Sequence, residues 1–158
     1  MDKVRVLVID DSNFNRDTIC EIFESHPRFE VVATASDGQM GLKMAMSVEP
    51  DLVTLDLEMP QMDGFTFLRL VMETRPVAVL VISSHSRPED VFTALDLGAV
   101  DFVAKSEHFF PGEISRTLRD EILLKAEAAS AARRLQAPAP QPSLKATRSP
   151  SAEDADGD

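Results

Sequence analysis

The sequence contains no tryptophan and no tyrosine. Any core must rest on Val, Leu, Ile, Met, Ala and the nine phenylalanines, and an apolar share of 44% supplies enough of them. Cysteine is nearly absent too. Cys20 stands alone, which excludes an internal disulfide and points to a reduced, cytoplasmic setting. No apolar run approaches the length of a membrane span. The opening Met1-Asp2-Lys3-Val4 has none of the marks of a signal peptide. Positive charge is scarce: 16 Lys and Arg face 27 Asp and Glu, a formal charge of −11. Such a chain repels phosphate backbones and anionic lipid, so direct nucleic-acid or membrane binding is not expected. Basic partners, or a cation held by clustered acids, suit it better.

What is present reads as strands alternating with helices. Residues 4–9 form a continuous β-rich run, as in a strand buried on both faces. Helical spacing follows over 14–23, with Asp11 or Ser12 as the N-cap. A second strand covers 29–35. Asp37-Gly38 opens a second helix, with Met40, Met44 and Ala45 on one side and Pro50 at its end. A third strand at 52–55 leads into the turn-rich Met59-Pro60-Gln61-Met62-Asp63-Gly64. A helix over 65–72 ends by Pro76, and 77–82 is a fourth strand. A fourth helix spans about 88–97, closed by Gly98. A short strand, 100–104, precedes a last helix that begins after Pro111-Gly112. That helix carries Ile114, Leu118 and Ile122 as one stripe and runs to about Arg134. From 135 to 158 the chain is rich in Pro, Ala and Ser and acidic at its end, which reads as a disordered tail or linker after one compact domain of 1–134. Five strands separated by helices imply a parallel sheet with helices on both faces.

In open sheets of this kind, ligand chemistry gathers at the carboxyl ends of the strands. The polar residues fall there. Asp10 and Asp11 end the first strand, Asp56 the third, Ser83 the fourth and Lys105 the fifth. Three carboxylates held together repel one another and call for a divalent cation. Mg²⁺ takes oxygen ligands and keeps several waters, so two or three carboxylates on an open rim suit it. A carboxylate can then act as nucleophile toward phosphorus. Lys105 supplies positive charge and Ser83 a hydroxyl donor for the oxygens of a transferring phosphoryl group.

The segments Val8-Ile9-Asp10-Asp11-Ser12, Leu55-Asp56-Leu57-Glu58-Met59-Pro60-Gln61-Met62-Asp63-Gly64, Ile82-Ser83-Ser84 and Gly98-Ala99-Val100-Asp101-Phe102-Val103-Ala104-Lys105 resemble the motifs of two-component response-regulator receivers. The resemblance covers residues 3 to about 130. Within that family it is nearest to the receiver of chemotaxis protein-glutamate methylesterases. It implies a flavodoxin-like, doubly wound five-stranded sheet of order 2-1-3-4-5. It implies a phospho-acceptor at Asp56, and Mg²⁺ held by Asp10, Asp11, Asp56 and the backbone carbonyl of Glu58. Ser83 and Lys105 then attend the phosphoryl group, with Ser83 and Phe102 as the switch pair. The implied donor is a sensor histidine kinase. The implied output is an attached domain or protein partner reached through the fourth helix, fifth strand and last helix. The chain itself is expected to be a self-phosphorylating and self-dephosphorylating switch, with no methylesterase domain.

One position departs from the pattern. Receivers usually carry proline after the lysine, joined by a cis peptide, and here Ser106 follows Lys105. A non-proline cis bond costs about 2.5–4 kcal/mol, so a trans bond and a shifted loop are expected. Bland readings compete for single residues. Asp11 alone is a helix cap, Lys105 alone a surface lysine, Phe102 alone core. Met40, Met44, Met46, Met59 and Met62 read mostly as packing. Cys20 reads as a small helix residue, and His26, His85 and His108 as surface residues. His85 lies close enough to Ser83 in sequence to influence acyl-phosphate hydrolysis. Other functions fit less well. An aspartate-based small-molecule phosphohydrolase needs Asp-x-Asp where this chain has Asp10-Asp11. A flavin module needs a phosphate loop where Asp10-Asp11-Ser12-Asn13 would repel phosphate. A non-phosphorylated adaptor leaves the complete site without a purpose.

Overall fold

An apolar run such as Val-Arg-Val-Leu-Val-Ile is stable as a strand only when both faces are covered, and here both are. The computed structural model describes residues 2–105, 109 and 114–136, the last four by backbone alone. The element order is β1 (Val4–Ile9), α1 (Asn13–Glu24), β2 (Phe29–Ala35), α2 (Gly38–Val48), β3 (Leu52–Leu55), α3 (Gly64–Thr74), β4 (Ala78–Ser83), α4 (Pro88–Asp96), β5 (Asp101–Ala104) and α5 (Arg116–Gln136). The strands are all parallel, in the order β2-β1-β3-β4-β5. This is the expected flavodoxin-like sheet. Ile9 pairs with Leu55, Leu55 with Val81, and Ser83 with Ala104. The residues that follow these strands therefore emerge along one edge.

Alternation along each strand divides the core in two. Val4, Val6, Val8, Leu52, Leu80, Ile82 and Val103 pack with Ile19, Ile22 and Phe23 of α1 and Leu118 and Ile122 of α5. Leu7, Ile9, Val53, Leu55, Val79, Val81 and Phe102 pack with Ala45 of α2, Phe67, Leu68 and Val71 of α3 and Ala94 of α4. Full burial of a side chain such as Ile22 or Leu55 contributes about 1.5–3 kcal/mol. Truncating either to Ala would cost about 2–5 kcal/mol, because a cavity remains.

Helix starts follow side-chain caps. Ser12 Oγ accepts from Asn15 N at 3.2 Å, so Ser12, not Asp11, caps α1. Asp37 caps α2 through Met40 N, and Asp63 caps α3 through Thr66 N. Gly98 ends the α4 segment at φ +118°, a conformation that other residues adopt only with strain.

Three expectations shift. Met40 is exposed, and the buried side of α2 is Gly38, Gly41 and Ala45. The helix lies so close to β1 that a Cβ on residue 41 would stand 2.5 Å from Ile9 Cδ1. Met44 and Met62 pack against the core and Met59 is buried, while Met46 is exposed. Ile114 precedes α5, yet it packs on the same cluster as Leu118 and Ile122. Its neighbour Ser115 accepts from Leu118 N at 3.1 Å. Ser83 belongs to β4 itself, so it lies inside the sheet's edge. The Lys105–Ser106 bond, His108 and the tail from 137 onward lie outside the described residues.

Candidate functional site

The sheet delivers Asp10, Asp56 and Lys105 to one point because each stands at the same phase of the alternation. They extend the rows of Val8, Thr54 and Val103, on the side of α1 and α5. Ser83 and Phe102 belong to the opposite rows, on the side of α2, α3 and α4. The carboxyl edge therefore has a charged half and a hydroxyl–aromatic half.

The charged half is tightly built. Asp10 is fully buried. Its Oδ2 lies 2.7 Å from Lys105 Nζ, and its Oδ1 accepts from Ser12 N at 2.9 Å. Its backbone N–H donates to the Ala35 carbonyl, and the Asp10 carbonyl accepts from Arg16 Nη1 at 2.7 Å. Lys105 Nζ also lies 3.7 Å from Asp56 Oδ1. Asp10, Asp11 and Asp56 each bring a carboxylate oxygen within 4.8 Å of the other two. Asp10 and Asp56 are buried and Asp11 is exposed, so the cluster opens to solvent on one side. An open cavity of about 460 Å³ covers it, lined by Asp11, Asn15, Asp56, Glu58, Ser84 and Lys105.

Burial pushes the Asp56 carboxyl up from 3.8 to about 6. The Lys105 ammonium pulls it down, Asp10 and Asp11 push it up, and a hydrogen bond from Ser83 pulls it down. Among the described residues three carboxylates face one ammonium, so two negative charges there lack a partner. Hard oxygen donors on an open rim with uncompensated charge suit a divalent cation such as Mg²⁺.

Gly64 explains part of the Asp63-Gly64 motif. A Cβ there would meet the Asp56 carbonyl oxygen at 2.5 Å, so only glycine lets α3 begin this close to the site. The Glu58 side chain is exposed and its Oε1 lies 2.7 Å from His85 Nε2. His85 N in turn donates to Ser83 Oγ at 3.1 Å. Phe102 is buried in the cluster beneath α4. Cys20 lies away from the site, and burial pushes its thiol up to about 11, which keeps it protonated and unreactive.

Sequence reasoning missed one participant, Asn15, and one contact, between His85 and Glu58. Asn15, one helical turn after Asp11, lines the cavity, and that i, i+4 spacing was a readable signal. The His85–Glu58 pair joins two loops 27 residues apart, and no local pattern announces it.

A parallel sheet of this order with an acidic cluster at its carboxyl edge defines a class, and the comparisons fill it in. The chain belongs to the response regulator receiver domain family, whose model matches residues 6–117. It is 55% identical over 122 residues to a protein-glutamate methylesterase/protein-glutamine glutaminase of Geobacter sulfurreducens, covering 77% of this chain and 33% of that protein. It is 54% identical over 127 residues to one from Myxococcus xanthus, covering 80% and 36%. The chain thus spans about a third of the length of these relatives, in their receiver part. The response regulator domain of Thermotoga maritima CheB matches with a TM-score of 0.73 at 36% identity, covering 82% of this chain and 97% of that one. A CheX–CheY–BeF3–Mg²⁺ complex from Borrelia burgdorferi matches with a TM-score of 0.69 at 30% identity, covering 79% and 87%. Among the described residues no helix is long and apolar enough to cross a membrane.

Proposed function

We propose that this receiver takes a phosphoryl group onto Asp56 in a Mg²⁺-dependent reaction and switches a partner-binding surface as the regulatory part of a chemotaxis-type methylesterase. The observation that carries the reading is the acidic cluster with Lys105 beside it: three carboxylates within 4.8 Å of one another, and an ammonium 2.7 Å from one and 3.7 Å from another. Asp10, Asp11, Asp56 and the Glu58 carbonyl would hold Mg²⁺. The ion, when bound, supplies positive charge to the phosphoryl oxygens and holds Asp56 ionised.

The chain's own groups account for the rest. Asp56 must be a carboxylate to attack phosphorus, and its oxygen then displaces the donor's leaving group. Lys105 starts paired to Asp10, within reach of Asp56, so its charge is already placed where phosphoryl oxygens arrive. The Ser83 hydroxyl helps to lower the Asp56 carboxyl, and Ser83 stands on the Phe102 side of the sheet. A change at Asp56 would pass through Ser83 to Phe102 and to the outer surface of α4, β5 and α5. That surface exposes Phe92, Leu95, Val100 and Leu124, apolar area that a neighbouring output domain would cover. The phosphodonor would be a histidine kinase, and residues 135–158 would link receiver to output. The Borrelia neighbour, a complex that contains BeF3 and Mg²⁺, supports Mg²⁺-dependent phosphoryl chemistry for a chain of this fold.

The test is incubation with Mg²⁺ and acetyl phosphate, followed by intact mass. The wild type should gain one phosphoryl group and Asp56→Asn none. A folded wild type that gains nothing with any donor contradicts the reading.

A further inference from the structure

Lys105 needs its position fixed, yet Ser106 follows it in the chain where a proline ring would restrict the backbone. A tether comes from α1 instead. The Asn15 amide lies between Lys105 Nζ, a donor, and the Phe109 carbonyl oxygen, an acceptor. Only one orientation satisfies both. The amide oxygen accepts from Lys105 Nζ at 2.9 Å, and the amide nitrogen donates to the Phe109 carbonyl at 3.0 Å. The Phe109 ring stands 5.7 Å from the same Nζ, at cation–π distance.

We infer that Asn15 is a positioning residue for phosphoryl transfer, holding Lys105 in the site and clamping the chain four residues beyond it to α1. It touches no reacting atom. It removes freedom from a long side chain whose four-carbon stem would otherwise sample many rotamers. Asp10 holds the same ammonium from the other side, so Lys105 is gripped between two groups next to the start of α1 and aimed at Asp56. Asn15 is itself held, since its backbone N–H caps onto Ser12. The clamp therefore starts at the rigid first turn of α1.

This inference rests on Asp56 being the phospho-acceptor, and the test separates the two. In chelator-treated protein, exchange of the Lys105 Nζ protons is followed by NMR at low temperature in the wild type and in Asn15→Ala. Loss of the amide should speed exchange on the order of tenfold, as expected for a hydrogen bond to a charged group. With Mg²⁺ at saturation, the rate constant for phosphorylation by acetyl phosphate should fall on the order of tenfold, while the Mg²⁺ half-saturation stays within about twofold. In a Lys105→Met background, Asn15→Ala should cause no further loss of rate. Asn15→Leu, which restores volume without polarity, should behave as Asn15→Ala. Unchanged Lys105 exchange, or an equal slowing with and without Lys105, overturns the inference. A wild type that accepts no phosphoryl group overturns the Asp56 reading instead, and leaves the exchange measurement to decide on Asn15.

Discussion

Two side-chain contacts of equal length stand at this edge of the sheet. Lys105 lies 2.7 Å from Asp10, and His85 lies 2.7 Å from Glu58. The first pair is almost wholly buried, with side chains 5% and 0% exposed; the second is 43% and 69% exposed. Distance is the same and consequence is not. Water screens the outer pair to about 0–1 kcal/mol. The inner pair has given up its hydration, so each member depends on the other. Burial thus decides which pair shapes the chemistry. The inner one stores charge beside Asp56, and the outer one bridges two loops at the rim.

The comparison can be broken most forcefully at Lys105. Lys105→Ala leaves Asp10 buried without its counter-charge and should cost about 3 kcal/mol in urea unfolding with chelator present. Mg²⁺ should restore more stability to this variant than to the wild type, because a cation replaces the missing one. Equal Mg²⁺ effects on both would remove the electrostatic account of the pair.

Asp56→Asn sharpens the inner half. Asp56 titrates near 6 in the fold, against 3.8 for its ordinary value. Below pH 3.8 both folded and unfolded chains hold the proton, and the wild type bears no penalty. Between 3.8 and about 6 the unfolded chain has released the proton that the folded one keeps, so wild-type stability falls as pH rises. Above about 6 the loss is complete, at about 3 kcal/mol. The amide of the Asp56→Asn variant carries no such charge. Without Mg²⁺ the variant should be more stable than the wild type by about that amount near pH ~8, and the gap should close by about pH 4. Urea titrations across this range read it, and a gap that does not depend on pH contradicts it.

Ser83→Ala separates the charged half from the aromatic half. It should leave Mg²⁺ affinity within about twofold and phosphoryl acceptance within about tenfold. It should also remove most of the phosphorylation-induced NMR shift change at Phe102. A full response at Phe102 without the hydroxyl would show that the signal takes another route. The smallest effect belongs to the outer pair: His85→Ala should change unfolding free energy by less than about 1 kcal/mol, measured by the same urea method.

Much of this was readable because it depends on local pattern. The apolar run of β1, the breaks at Pro50, Pro76 and Gly98, and the polar residue after each strand are all written along the chain. Strand pairing then converts those ends into a site, since parallel strands in register bring Asp10 and Asp56 side by side. What escaped depends on approach distances. Which face of α2 is buried follows from how closely Gly41 meets Ile9, and periodicity alone favoured the larger Met40. The start of α5 at Arg116 follows from Ser115, while the apolar stripe pointed two residues earlier, to Ile114. The contacts of Asn15 and His85 join residues far apart in sequence, at distances set by loops.

The central claim is that Asp56 is the nucleophile. Borohydride reduces an acyl phosphate of aspartate to homoserine, so trapping after acetyl phosphate treatment marks the acceptor directly. Peptide mass spectrometry should find homoserine in place of Asp56 and nowhere else. Homoserine in place of Asp10 or Asp11, or a phosphoryl group on His85, would contradict the account.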